Sequence, residues 1–389
     1  MTELQPDRKA LASLFSFHCS SNTGYAIATN EKVFYSLGLS LAGGDSRLVH
    51  FAYRSLARGR SATLPDDFTN IVEFDPRGAR REEITKLADY VRQHQIRVAL
   101  FFDVQPVGPI FRPLRQAGVR TIVCYWGAPI SSLMPWWKLT LKKLHIALSS
   151  SRADGVIFQS QAMAEYGIHG RGIPPSMVDV VPSGVDTEFF QPGKTYFVYQ
   201  AMGLPRDRKV VIYAGHMEKR KGVRTLIEAA IDLLTKRKRT DVCFVLFGNK
   251  DDQSREFEQM YAGMGIDEYI RFGGYRPDLG KIYPGCYCGV IPSTGWDSMP
   301  RSVLEMAACG LPVIGSRLQG ICESVLDQRT GVLFEPGNSR ELADCLEKLL
   351  NNPQLAEQYG REARRRCERE LTMEINKQRF LEVVRWRMG

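Results

Sequence analysis

The chain has 389 residues, 44% of them hydrophobic and 24% charged, with a formal net charge of +9. That length exceeds one ordinary domain and predicts two, each able to bury a core, and the balanced composition excludes a disordered or fibrous chain. The excess of positive charge calls for an anionic partner or a solvated basic face; the clusters KLTLKKLH, EKRKGVR, TKRKRT and REARRRCERE lie in separate elements without a nucleic-acid module signature, which argues against specific DNA or RNA binding.

The opening stretch MTELQPDRKALASLF carries no long apolar run behind a basic segment, and no run of eighteen apolar residues follows anywhere. The expectation is a cytoplasmic chain with neither secretory signal nor membrane span. Short apolar runs then alternate with helical patterns, which predicts parallel sheets flanked by helices, an α/β architecture. In the first half the strands are LFSFHC (14–19), RLVHFAY (47–53), VALFF (98–102), RTIVCYW (120–126), DGVIFQS (154–160) and VDVVPS (178–183). In the second half they are KVVIYAG (209–215), CFVLFG (243–248), YIRFGG (269–274), CGVIPS (288–293), LPVIGS (311–316) and TGVLFEP (330–336). Each half reads as its own doubly wound sheet, with the boundary in 189–208, where turn residues and charges interrupt the pattern. Ligands of such sheets sit beyond the carboxyl ends of the strands, so two domains facing across a cleft are expected, and the loops there carry the chemistry.

Three loops stand out. After the first strand, Gly24 opens an amphipathic helix; it is either an ordinary tight turn or a place where a ligand approaches the backbone. After KVVIYAG, His216 and Lys221 flank a turn whose Gly222 precedes another amphipathic helix. Two potential cations beside a helix start suit a diphosphate, though a solvated charged loop has the same composition. The third loop reads WDSMPRSVLE, with Asp297 just before a helix and Glu305 about two turns into it. Acids near a helix start favourably meet its dipole. If the helix begins near Pro300 to Ser302, its amides also face a diphosphate, and the two acids flank it like a clamp on a sugar nucleotide. Charge-assisted hydrogen bonds from hydroxyls to such carboxylates contribute about 1.5–3 kcal/mol each.

Nine cysteines, odd in number and scattered through apolar segments, read as reduced core residues. Cys286 and Cys288 are too close for a structural zinc half-site and no histidines follow at finger spacing, so no metal site is expected.

With these loops in view, the chain resembles the retaining glycosyltransferases of the GT-B fold, in particular the GT4 family (glycosyltransferase group 1). VVPSGVDTEFFQP (180–192) is similar to the family's hinge-side segment, and YAGHMEKRKG (213–222) to its GR-to-KG loop. WDSMPRSVLEMAACGLPVIGS matches the E-x7-E motif with the helix and strand behind it, and QGICESVLDQRTGVLFEPGN (319–338) resembles the G-G-x-x-E and T-G-x-L segments. The resemblance implies two Rossmann-like domains, an acceptor side over 1–192 joined by a C-terminal helix at about 370–389, and a donor side over 193–369. It implies transfer of a sugar from a nucleotide-diphosphate donor, a UDP-sugar first and a GDP-sugar next, to a saccharide or lipid-linked acceptor, with no cofactor and no metal.

Carried over residue by residue, Lys221 and His216 hold the donor diphosphate, Asp297 faces the donor sugar and Glu305 binds the ribose. Ser298, Met299, Pro300, Arg301 and Ser302 lie along the donor, with Gly215, Gly248 and Tyr275 beside it. Gly24, Tyr25, Asp103 and Trp126 fall on the acceptor side. The sequence departs from the family at several of these positions. His216 replaces an arginine, and an imidazole lacks the permanent, forked charge of a guanidinium. Asp297 is one methylene shorter than the usual glutamate, Ser298 and Pro300 replace glycines, and Pro300 has no amide to donate. Trp126 stands where many relatives carry a histidine; it is either a buried structural residue or a platform for a sugar.

The segment 129–151 pairs Trp136 and Trp137 with Lys138, Lys142 and Lys143. It reads as a helix resting on anionic lipid, as a surface helix with its tryptophans packed inward, or as an acceptor-side wall. A sugar-nucleotide epimerase and a non-catalytic sugar-nucleotide-binding protein remain alternatives to the transferase.

Overall fold

The computed structural model describes residues 10–127, 135–248 and 254–389. Two compact units emerge, Met1–Pro182 with Glu374–Gly389, and Ser183–Met373. The first holds a parallel sheet of β1 (Ser13–Phe17), β2 (Val49–Tyr53), β3 (Ile71–Glu73), β4 (Val98–Phe102), β5 (Thr121–Trp126), β6 (Gly155–Phe158) and β7 (Val178–Val180). Their order is β3-β2-β1-β4-β5-β6-β7. β1 pairs in register with both central neighbours, Ser13 opposite Val49 and Val98. The rings of Phe15, Phe17, Phe34 and Phe51 pack on one another at this centre, some stacked and some tilted, at centroid distances of 5.4–6.2 Å.

The second unit holds β8 (Lys209–Ala214), β9 (Val242–Phe247), β10 (Ile270–Gly274), β11 (Cys288–Ile291), β12 (Val313–Ser316) and β13 (Gly331–Phe334), in the order β10-β9-β8-β11-β12-β13. Alternate residues of β8 point to opposite cores: Val211 and Tyr213 to one, Val210, Ile212 and Ala214 to the other. A strand covered on both faces must be apolar throughout, which is why KVVIYAG shows no alternation.

Two features differ from the sequence-based expectation. β3 was not expected; at three residues on a sheet edge, partly exposed, it lacks the apolar run that marks a buried strand. The division between units falls after Pro182 instead of after Pro192, because 183–192 is wired into the second unit. The Val185 amide donates to Leu371 O at 2.8 Å, and Arg364 Nη1 donates to Phe190 O at 2.7 Å. The last helix, Met373–Met388, returns to the first unit, where Arg387 grips Asp179 at 2.7 Å and Phe380 meets Phe34 and Tyr125 edge-on.

Candidate functional site

The second sheet reverses its direction of growth between β8 and β11. In open α/β sheets ligands bind outside the carboxyl ends of the strands at such a point. Here the loop after β8 and the loop after β11 are stitched together along their backbones. The amides of Thr294 and Gly295 donate to Arg220 O at 2.8 and 3.0 Å, and Arg220 Nη1 donates to Trp296 O at 3.1 Å. Gly222 makes the closeness possible: its φ is 68°, and a Cβ there would lie 1.8 Å from Pro292 O. Only glycine satisfies both demands.

This stitching brings Lys221 to Asp297. Nζ lies 2.6 Å from Oδ2, with the side chains 16% and 8% exposed, and Ser293 Oγ donates to the same oxygen at 3.0 Å. Asp297 Oδ1 has no partner among the described residues. Beneath the pair, Tyr213 donates to His216 O at 2.5 Å. Burial first, and the Asp297 charge second, push its phenol above the ordinary range, so it remains a neutral donor.

The second acid is seated by packing. The helix Arg301–Ala308 buries Val303, Leu304 and Met306, and Gly289 on β11 lets it approach, since a Cβ there would lie 2.2 Å from Met306 Sδ. Glu305 is consequently 5% exposed, and its Oε2 accepts from Tyr283 OH at 3.2 Å. A buried carboxylate is costly without such donors. Pro300 heads the helix with no side-chain cap, which leaves the amide end of Arg301 and Ser302 as the positive pole of its dipole.

Between the two acids the backbone is clamped. Gly320 packs so closely that a Cβ would lie 1.0 Å from Ser298 O, and its amide donates to Asp297 O at 3.3 Å. Ser298 and Met299 are buried, and Met299 Sδ accepts from the Ser183 amide at 3.3 Å. Three buried polar atoms in these segments, Ser183 Oγ, Trp296 Nε1 and Gln319 Oε1, have no partner among the described residues. Unpartnered buried polar atoms are rare and mark places where a ligand or water completes the bonding.

Of the other expected donor residues, Gly215 and Gly248 join the ends of β8 and β9: a Cβ on Gly248 would lie 2.9 Å from Gly215 O. His216 is exposed on the β8 loop, and Tyr275 stands half-exposed after β10. Ser293, Arg220 and Tyr283 were missed by sequence reasoning. Ser293 hid at the end of an apolar run, and nothing local marks Tyr283 as a partner of Glu305.

In the first unit Gly24 caps the helix Tyr25–Leu41 with φ 150° and open space about its Cα, and Tyr25 beside it is exposed. Asp103 follows β4 directly and is buried. Trp126 is 6% exposed and stacks on Phe158 at 6.0 Å. Its ring packs in the core of the first unit. The helix Trp136–Leu148 buries only Ile146, and its tryptophans face outward, 80% and 49% exposed, contrary to the packed-inward alternative. Residues 129–134 of that segment lie outside the described residues.

Both halves of the chain match known family models. Residues 208–352 match the model described as glycosyl transferases group 1, and residues 42–189 the model of glycosyltransferase family 4. The chain belongs to the group 1, family 4 glycosyltransferases. It is similar to the D-inositol 3-phosphate glycosyltransferase of Frankia alni, 32% identical over 187 residues that cover 46% of each chain. It is also similar to that of Saccharomonospora viridis, 28% identical over 229 residues, 56% of this chain and 52% of that protein. The matched stretch thus spans about half the length of these curated relatives. Among solved structures it resembles a glycosyltransferase from Rickettsia africae, with a TM-score of 0.80 at 15% identity over 97% of this chain and 99% of that one. Anabaena HepE in complex with UDP-glucose gives 0.76 at 19% identity over 96% and 99%. These likenesses carry the fold, two Rossmann-like units of the GT-B type.

Proposed function

We propose that the chain transfers a sugar from a nucleoside diphosphate donor, a UDP-sugar before a GDP-sugar, to an acceptor hydroxyl with retention of configuration. The observation that carries this is the convergence of Lys221, Asp297 and Glu305 at the reversal point of the second sheet, beside the amide end of the helix Arg301–Ala308. In this reading Lys221, with His216 and the helix amides, stabilises the charge that grows on the leaving diphosphate. Glu305 accepts from ribose hydroxyls, and Asp297 Oδ1 from a hydroxyl of the transferred sugar. The acceptor hydroxyl attacks from the face the diphosphate leaves: the bond from the anomeric carbon to the acceptor oxygen forms, the bond to the phosphate oxygen breaks, and that oxygen takes the proton. With Lys221 and the helix amides supplying positive charge, the reading needs no metal, and turnover should survive chelator.

The product belongs to polysaccharide, lipid-linked saccharide or glycoconjugate synthesis. A peripheral contact with anionic lipid is part of the same proposal. On the helix Trp136–Leu148, Trp137, Leu141, Leu144 and Leu148 recur at i, i+4, i+7 and i+11 on the face away from Ile146, flanked by Lys138, Lys142 and Lys143. No helix among the described residues is long and apolar enough to cross a membrane.

A thermal-shift screen of UDP-, GDP- and ADP-sugars tests the donor. Binding at a hundredfold excess over Kd adds about 2.7 kcal/mol of stability, so a UDP-sugar should raise the melting temperature most. No shift with any of the three contradicts the proposal. Product analysis then separates the alternatives, since a transferase consumes donor only with acceptor present, whereas an epimerase converts donor alone.

A further inference from the structure

The basic stretch REARRRCERE occupies the last turns of the helix Pro353–Glu370, and its arginines differ in what they reach. Arg361 and Arg365 face solvent, 56% and 63% exposed, and pair with Glu357 and Glu362 on the same helix. Exposed pairs of this kind contribute little. Arg364 and Arg366 flank the buried stripe of Gly360, Ala363 and Cys367, are only 17% and 16% exposed, and each extends to the carboxyl end of another helix.

Arg364 Nη1 donates to Ala308 O and to Phe190 O, both at 2.7 Å, Nη2 donates to Thr187 O at 3.1 Å, and Nε pairs with Glu368 at 2.7 Å. Ala308 is the last residue of the helix Arg301–Ala308, so a permanent cation stands at the negative pole of the helix whose uncapped amide end lies at Arg301 and Ser302. Eight residues make that helix about 12 Å long, and holding one end sets where the other points. Gly360 lets the two elements close together, since a Cβ there would lie 2.0 Å from Gly310 O, just beyond Ala308.

Arg366 does the same for the helix Gln319–Ser324. Nη1 donates to Ser324 O at 2.8 Å and Nη2 to Glu323 O at 2.6 Å, with Glu370 at 3.4 Å from Nε. This helix carries Gly320, which presses on Ser298 O and donates to Asp297 O. The last carbonyls of a helix have no partner within it, and a guanidinium meets them with donors held in one plane, which fixes their spacing as well as satisfying them.

We propose that Arg364 and Arg366 are positioning residues of the donor site: from one helix they fix the two helices that shape the stretch Asp297–Ser302, without touching the donor. This rests on reading that stretch as the donor site.

The test compares the full parent chain with Arg364→Gln, Arg364→Lys, Arg366→Gln, Arg366→Lys and a surface control that combines Arg361→Gln with Arg365→Gln. Denaturation curves first fix a temperature at which the chains are folded, and calorimetry there gives the Kd of UDP, GDP, UDP-glucose and GDP-mannose. Each glutamine variant should weaken the nucleotide that the parent binds at least fivefold. The lysine variants keep the charge but not the fork, and should weaken it at least twofold and less than glutamine does; where a glutamine variant does not fold, its lysine counterpart decides. The surface control should stay within twofold of the parent. A lowered denaturation midpoint with an unchanged Kd makes an arginine a prop for the fold alone and overturns its role here. Equal weakening in the surface control overturns both roles, since loss of charge then suffices. A parent chain that binds none of the four overturns the donor reading and this proposal with it, whereas binding by the parent with the same affinity in all four inward variants overturns this proposal alone.

Discussion

Lys221 Nζ and Asp297 Oδ2 lie 2.6 Å apart in a pair whose side chains are 16% and 8% exposed, with Ser293 completing the acid's bonding. Removing one member of such a pair leaves a charge with little water to solvate it, which costs about 3 kcal/mol, whereas removing both costs less than the sum. Lys221→Met and Asp297→Asn should each lower the denaturation midpoint, and the double variant should recover part of the loss. Lys221→Met should also raise the donor KM strongly, while Asp297→Asn lowers mainly kcat. Additive stability losses together with an unchanged donor KM would show that the pair is neither coupled nor placed at the donor.

Gly320 holds the backbone between the two acids. Ala at this position puts a methyl into Ser298 O, so Gly320→Ala should cost about 1–3 kcal/mol and weaken donor binding more than tenfold. Gly263→Ala is the control: its φ of 75° strains the backbone by about 1–2 kcal/mol, but nothing lies within 4 Å. It should lower stability and leave donor affinity alone. Equal donor affinity in the two variants speaks against a clamp at Gly320.

His50 makes stability depend on pH. It lies on β2 at 1% exposure, Nδ1 2.7 Å from Tyr90 OH, and its ring centroid is 4.8 Å from that of His94. Burial first, and the neighbouring His94 second, lower its pKa from 6.5 to about 4. The unfolded chain therefore binds more protons between these values, and the stability is present above 6.5 and lost as pH falls toward 4. The slope for this one group is up to about 1.4 kcal/mol per pH unit. Chemical denaturation at several pH values should show that slope in the parent and a shallower one in His50→Gln; identical slopes would remove His50 as its source.

The exposed stripe on the helix Trp136–Leu148 gives a test of lipid contact. Leu141→Glu with Leu144→Glu changes only solvent-facing positions, so stability should move by no more than about 0.5 kcal/mol per site. Co-sedimentation with phosphatidylglycerol vesicles should fall more than tenfold, and salt should weaken the parent's binding. A parent chain that ignores anionic vesicles rules the contact out.

Much of this was legible because buried parallel strands announce themselves as apolar runs and the chain orders them simply. β3 was not, since Ile71–Glu73 is an edge strand with too few buried residues to leave a pattern. The two acids of WDSMPRSVLE were visible, but their partners were not: Lys221 lies 76 positions from Asp297, and Tyr283 lies 22 from Glu305. Only the register of β8 against β11 brings the first pair together. Trp126 was ambiguous because a core and a sugar platform ask for the same side chain. The helix Trp136–Leu148 was ambiguous for another reason. It carries apolar residues on two faces, Leu139 and Ile146 on one and the Trp137 stripe on the other, and periodicity alone does not say which meets the protein.

Calorimetric titration of UDP-, GDP- and ADP-sugars into the parent chain and into Glu305→Ala is the most direct test of the donor site. Binding of one sugar nucleotide to the parent, weakened at least tenfold in Glu305→Ala, about 1.4 kcal/mol, is the expected result. The same affinity in both proteins, or no binding to the parent by any of the three, would contradict a sugar nucleotide held at the reversal point of the second sheet.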